Sequence, residues 1–324
     1  MSTPTILITD HAWPDLEIER SVIEAAGLRW VHGPASPASD EHITALAQQH
    51  QPASILTCWA QVSAKAIAAS QGLVHVGRIG VGLDNIDVGA CTQAGVLVTN
   101  VPDYCVEEVS DHALGMTLAW ARGLISFDRD VRAGQWNPAK AQLRRMANLT
   151  VGIIGFGRIG RASARKFQAF SCRVLVTASR PITDAKGVEA VELSELLSLS
   201  DVVVLHVPLT PQTQGLINQD RIASMKPGAL LINVSRGAVV DTAALTQALA
   251  SGHLSGAGLD VLDTEPKVPQ TLIDQSSAMF TPHIAFSSDA ALAELRRRAT
   301  EEAVRVVLGQ APHHPCNTPS AVHL

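Results

Sequence analysis

No run of the sequence stays apolar for the roughly 20 residues that a membrane-spanning helix needs, so a membrane protein is not expected. The opening "MSTPTILITDHAWPD" lacks a basic stretch and soon reaches acidic residues and proline. It does not read as a secretory signal, and a cytoplasmic setting is expected. Basic charge is not in excess either. A net charge of −5 offers no attraction to nucleic acid or to a membrane surface. Cysteine is sparse: Cys58, Cys91, Cys105, Cys172 and Cys316 are scattered, odd in number and contain no C-x-x-C. That usage predicts free thiols in a reducing compartment and no metal site. The histidine pair in "PHH" (312–314) reads as part of a solvated, proline-rich tail. There is no short-period repeat and no low-complexity segment.

What is present is an ordinary globular balance of 46% hydrophobic and 17% charged residues. A length of 324 residues suits about two domains. Short apolar strands alternate with helical stretches. Strands are predicted at 5–9, 53–57, 74–78 and 96–99, with helices at 15–26, 40–49, 62–70 and 87–94. A second series of strands is predicted at 149–155, 173–177, 201–207, 229–234, 256–261 and 278–282. These Val/Ile/Leu runs suit strands buried on both faces of a parallel sheet, hence α/β architecture. A long helical stretch over 105–134 separates the series, and a charged amphipathic helix over 289–309 closes the chain.

"VGIIGFGRIGRASARKF" (151–167) is strand, G-x-G-x-x-G, helix. Gly155 permits the tight turn, Gly157 lets backbone approach a pyrophosphate, and Gly160 lets helix and strand pack closely. Arg158 and Ile159 open the helix, whose N-terminus favours phosphate. The following strand lacks a feature that an NAD site usually has. No acidic residue stands at its end to bond the adenosine ribose; "VLVTASRP" (174–181) offers Thr177, Ser179 and Arg180. A carboxylate there would repel a 2′-phosphate, whereas Arg180 and Ser179 can bind one. NADP(H) is therefore expected in preference to NAD(H). The alternative is that Arg180 stacks on adenine or faces solvent, with NAD bound.

Three later segments, "INVSRGAVVD" (232–241), "GLDVLDTEP" (258–266) and "MFTPHIAFSS" (279–288), each follow a strand and present Arg236, Glu265 and His283. Ligands of open α/β sheets sit beyond the carboxyl ends of the strands. Taken singly, each residue could be a cap, a turn residue or a core-edge histidine.

Together with "GRIGVGLDNID" (77–87), "TNVPDYCVEEVSDHAL" (99–114), "GFGRIG" and "LHVPLTPQT" (205–213), these blocks resemble the D-isomer-specific 2-hydroxyacid dehydrogenase family, in the family's order over nearly the whole chain. "NVPDYCVEEVSDHAL" and "HIAFSSDAALAELRR" suggest the branch that holds the C-terminal-binding-protein corepressors and their bacterial relatives.

The resemblance implies a Rossmann-type, doubly wound cofactor domain over 102–288. It also implies a smaller flavodoxin-like substrate domain built from 1–101 and 289–324, with catalysis in a cleft between the two. It implies Arg236 as the grip on a 2-oxo acid, His283 as the general acid and Glu265 as its partner. Val81 and Gly82 would hold the substrate carboxylate. His206, Pro208, Thr213, Val234 and Asp260 would meet the cofactor, Asp260 at the nicotinamide carboxamide. Trp59, beside Cys58 and Ala60, would shape the substrate slot with Tyr104 and Phe286. The stretch 105–134 resembles the dimerisation region, so a homodimer is expected. The implied activity is hydride transfer between NADP(H) and a small 2-oxo or 2-hydroxy acid. Two alternatives stand beside it: a nucleotide-sensing, corepressor-like binding protein, and a dehydrogenase of formate or phosphite.

Overall fold

The computed structural model describes residues 3–182 and 186–319. Its elements run β1 (Thr5–Ile8), α1 (Glu17–Ala25), β2 (Arg29–His32), α2 (Asp40–His50), β3 (Ser54–Thr57), α3 (Ala64–Ala68), β4 (His75–Arg78), α4 (Val88–Gln93) and β5 (Leu97–Thr99). Next come α5 (Val106–Ala121), α6 (Leu124–Arg132), β6 (Thr150–Ile154), α7 (Arg158–Ala169), β7 (Arg173–Thr177), β8 (Glu189–Ala190), α8 (Leu193–Leu199) and β9 (Val202–Leu205). The chain continues with α9 (Gln219–Ala223), β10 (Ala229–Asn233), α10 (Thr242–Ala250), β11 (Leu254–Leu259), α11 (Gln270–Ile273), β12 (Ala278–Phe280) and α12 (Asp289–Val307). The chain divides into two units. One comprises the residues up to Tyr104 with those from Ser288 on, and the other Cys105–Ser287.

The first unit is a five-stranded parallel sheet in the order β2-β1-β3-β4-β5. β1 and β3 are buried along their whole length, as their apolar centres require, and β4 (His-Val-Gly-Arg) is buried with them. Helix α12 packs on α1 through a buried ion pair. The Arg296 guanidinium donates to Glu19 Oε1 and Oε2 at 2.9 and 2.8 Å and to Asp15 Oδ1 at 2.9 Å. That pairing ties the last helix to the first. The segment after α12 is docked, which corrects the expectation of a solvated tail. Glu302, itself buried, accepts from the backbone N–H of His313 and lies 2.6 Å from its Nδ1, while Cys316 N–H donates to Val98 O and Asn317 Nδ2 donates to Val96 O.

The second unit is a seven-stranded parallel sheet in the order β12-β11-β10-β9-β6-β7-β8. The strand order reverses between β6 and β9, the switch point at which such sheets bind ligands. β9 ("VVVL") and β10 ("ALLIN") are buried throughout. Three expectations change in detail. The stretch 105–134 is two helices, because Gly123 takes a left-handed conformation between α5 and α6. β2 and β8 were not expected. Both are edge strands with polar, exposed residues, so neither carries a continuous apolar signal.

Candidate active site

The phosphate loop lies at the switch point. A side chain at Gly155 would stand 2.4 Å from His206 O, and one at Gly160 would stand 2.1 Å from Gly155 O. Both contacts are too short for any Cβ, so strand, loop and helix close only with glycine there. Gly157 differs: a Cβ there would meet no protein atom within 4 Å. Among the described residues nothing fills that space, and no side chain caps the α7 N-terminus that Gly157 opens. The open backbone at the start of a helix fits a pyrophosphate. Arg158 and Ile159 are the first helical residues. Ser179 and Arg180 lie exposed beyond β7. Pro208 and Thr213 form a closed loop after β9, with Thr213 Oγ1 donating to Pro208 O at 2.6 Å. Val234 is buried just past β10.

His206, expected at the cofactor, follows β9 with its ring turned to α7. Its Nε2 faces Ser163 Oγ on α7 at 2.8 Å, and burial pushes its pKa down to about 3. The ring is neutral there, and its backbone carbonyl lies against Gly155. Asp260, expected at the nicotinamide carboxamide, lies just past β11. It is 3% exposed, and its carboxylate accepts from Thr281 Oγ1 (2.6 Å), Ile284 N (2.9 Å) and Ala285 N (3.0 Å). His112 Nε2 lies 2.9 Å from Thr281 Oγ1. Asp260 therefore builds the loop that carries His283.

Arg236, Glu265 and His283 come from three loops, after β10, β11 and β12. A side chain at Gly237 would stand 1.9 Å from the carbonyl carbon of Leu262, so the first two loops touch backbone to backbone. That contact brings Arg236 close enough for its charge to act on Glu265. His283 Nδ1 is 2.9 Å from Glu265 Oε2, and Leu262 N–H donates to Glu265 Oε1 at 2.7 Å. His283 holds a left-handed backbone, φ 54°, a conformation that side chains with a Cβ rarely adopt outside functional loops. Phe286 meets its ring edge-on, with centroids 6.4 Å apart.

Burial acts to raise the Glu265 pKa. The hydrogen bonds from His283 and from the Leu262 N–H, with the charges of His283 and Arg236, outweigh it, and the pKa lies below its ordinary 4.5. A depressed carboxylate contributes stability that is present above its unfolded pKa and lost as pH falls through the folded one. The stability difference between wild type and Glu265→Gln is therefore expected to stay level above about pH 5 and to shrink towards zero in more acid solution. Chemical denaturation at stepped pH measures it.

In the first unit, Gly80 O accepts from Val101 N–H at 3.0 Å and Val81 O accepts from Asn100 Nδ2 at 2.6 Å. In trans peptides the N–H points opposite the carbonyl. The N–H groups of Val81 and Gly82 are thus turned away from residues 100–101, and among the described residues neither has a backbone partner. Two successive unpaired N–H groups suit an anion. Asp10, missed in the sequence, organises the neighbouring loop. Its carboxylate accepts from the N–H groups of Cys58, Trp59 and Ala60 at 3.1, 2.7 and 3.2 Å. The signal was there: an acid two residues past the buried strand β1. Trp59 is half-buried and Tyr104 is buried. Among the described residues, no cluster of three His, Cys, Asp or Glu could hold a metal, and no helix is long and apolar enough to cross a membrane.

Residues 114–285 match the model of the D-isomer specific 2-hydroxyacid dehydrogenase NAD binding domain. The chain belongs to this family. Among its 2-hydroxyacid dehydrogenase relatives, D-3-phosphoglycerate dehydrogenase of Mycobacterium tuberculosis H37Rv is 36% identical over 319 residues, 95% of this chain and 57% of that protein. The chain thus spans little more than half the length of that relative. Glyoxylate reductase of Pyrococcus furiosus is 41% identical over 236 residues, 69% of this chain and 70% of that one. Among solved structures, the NADPH-dependent glyoxylate/hydroxypyruvate reductase of Sinorhizobium meliloti, in complex with NADP and malonate, superposes with a TM-score of 0.84 at 29% identity, covering 97% of each chain. These relatives correct the placement in the corepressor-like branch. The two segments that suggested that branch run into α5, which packs on α7, and into α12, which packs on α1. Those helices are scaffold of the two units.

Proposed function

We propose that the protein is an NADP(H)-dependent reductase of small 2-oxo acids that yields the D-2-hydroxy acid. The observation that carries this reading is the His283–Glu265 pair at 2.9 Å, with Arg236 acting on the same carboxylate. The bound nicotinamide supplies the hydride. The Arg236 guanidinium binds the carboxylate and keto oxygen of the substrate as a planar fork. With Nδ1 turned to Glu265, His283 gives the proton on Nε2 to the keto oxygen. The unit 105–287 carries the cofactor, and the other unit carries the N–H groups of Val81 and Gly82 that receive the substrate carboxylate. Trp59 and Tyr104 are the first unit's candidates for meeting the substrate side chain, and Phe286 is the second unit's. Residues 58–61 (Cys-Trp-Ala-Gln) include no Arg or Lys, which favours substrates such as glyoxylate or hydroxypyruvate over a phosphorylated acid. A homodimer through the α6 region is part of the proposal, because α6 buries none of its own residues and Trp136 beyond it is 83% exposed.

The test is loss of reduced-nicotinamide absorbance against a panel of 2-oxo acids, with NADPH and NADH side by side. Turnover with a clear NADPH advantage supports the reading. Turnover that favours NADH overturns the cofactor assignment alone. Tight cofactor binding without turnover points to a nucleotide-sensing role. Arg180→Ala is expected to raise the KM for NADPH about tenfold or more, the loss of one charge-assisted contact, and to leave the KM for NADH within about twofold.

A further inference from the structure

Helix α5 lies on β11 in a fixed register. A Cβ at Gly256 would stand 3.0 Å from Trp120 Cδ1, and one at Gly258 would stand 2.8 Å from Met116 Sδ. Both glycines face α5, so the helix packs there on bare backbone. Next on the same face is Asp260, whose Oδ1 lies 3.9 Å from His112 Nε2. The register has a simple origin. Residues four apart on a helix share a face and rise about 6 Å. Alternate residues of a strand share a face and rise about 6.6 Å. Trp120, Met116 and His112 thus run antiparallel to Gly256, Gly258 and Asp260. This face of α5 ends at the loop that carries His283.

The hydrogen bonds there run in one direction. Thr281 Oγ1 gives its only proton to Asp260 Oδ1 at 2.6 Å, so towards His112 Nε2, 2.9 Å away, it accepts. Nε2 is therefore the protonated nitrogen of that ring. A hydroxyl is free to turn until a neighbouring donor takes one side of it. The His112 N–H does so, and it aims the Thr281 proton at Asp260. Among the described residues, no Lys or Arg pairs with the buried Asp260 carboxylate, and His112 is the basic side chain beside it. Asp260 in turn accepts from Ile284 N–H and Ala285 N–H, directly after the left-handed His283. We propose that His112 is a positioning residue for His283: through Thr281 it fixes Asp260, and Asp260 fixes the backbone that His283 sits on. This rests on the reading of His283 as the proton donor. It makes α5 the brace of that loop, and Gly256 and Gly258 the groove that seats the brace.

The test uses the full chain and two readouts: kcat with NADPH and glyoxylate, and amide hydrogen exchange at Ile284 and Ala285. His112→Asn keeps an amide but falls short of Thr281. It is expected to lower kcat about tenfold, the worth of one hydrogen bond, and to speed exchange at both amides by about as much. His112→Gln, whose amide N–H reaches the place of Nε2, is expected to stay within about threefold of wild type in both readouts. Thr281→Val, which lacks the hydroxyl, is expected to match His112→Asn, and adding His112→Asn to it should cost nothing more. The NADPH dissociation constant should stay within about twofold throughout. Wild-type kcat and exchange in His112→Asn or in Thr281→Val overturns the proposal. So does an equal loss in His112→Asn and His112→Gln, which marks a packing role, and so do additive losses in the double variant. Faster exchange in His112→Asn, restored in His112→Gln, in a protein that turns over no 2-oxo acid upholds the brace and overturns the reductase reading instead.

Discussion

Replacing His283 with asparagine is expected to lower kcat for 2-oxo acid reduction by about 10²–10⁴-fold, the usual contribution of a general acid. Asparagine is the informative choice because His283 sits at φ 54°, and asparagine tolerates the left-handed region better than other residues with a Cβ. The backbone of the loop is then undisturbed, and what disappears is the ring that faces Glu265 at 2.9 Å. The NADPH dissociation constant should remain within about twofold, since the phosphate loop lies after β6 and His283 after β12. Steady-state kinetics with cofactor titration by fluorescence separates the two quantities. A loss of less than about tenfold would place the proton donor elsewhere. Glu265→Gln should cost less, because glutamine can still accept one hydrogen bond from the ring.

The architecture was legible because it is written in continuous apolar runs. Strands buried on both faces, such as β9 and β10, leave no polar position to confuse the reading. Edge strands carry no such run, and β2 and β8 were overlooked for that reason. β8 is joined to β7 by the Arg173–Glu189 ion pair at 2.9 and 2.5 Å, a contact in which only Arg173 falls in an expected strand. At the site, residue identity was legible but direction was not. "VLHVP" predicts that His206 stands at a strand end, yet whether its ring faces the ligand or the α7 helix depends on Ser163, 43 positions earlier. The same holds for Asp10 and Arg78. Each reads as an ordinary polar residue at the end of a strand, and only the packing shows that Asp10 organises the 58–60 loop and that Arg78 is buried against the Trp59 ring. A linear sequence gives the chemistry available at a strand end. The neighbours that use it come from other strands.

Asp260→Ala is expected to destabilise the protein by on the order of 3 kcal/mol or more, as hydrogen bonds to a buried charge are worth about 1.5–3 kcal/mol each and their stranded partners cost more. Three donors would be left without their acceptor: Thr281 Oγ1, Ile284 N–H and Ala285 N–H. These donors flank His283, whose own N–H donates to Asp260 O at 2.9 Å and Thr281 O at 3.0 Å. Left-handed backbone at a residue with a Cβ costs of order 1–3 kcal/mol and persists only where the surroundings impose it. With the carboxylate gone, the 281–285 loop has reason to relax, and His283 moves with it. The thermal midpoint and kcat should therefore fall together, while NADPH affinity changes little. A direct contact from Asp260 to the nicotinamide, the role expected from family resemblance, predicts the opposite division: Asp260→Asn, isosteric and still able to accept, would keep its thermal midpoint and lose cofactor affinity. Thermal denaturation, kcat and NADPH titration on the alanine and asparagine variants distinguish the two, because only a loop-building carboxylate couples stability to kcat without passing through cofactor binding.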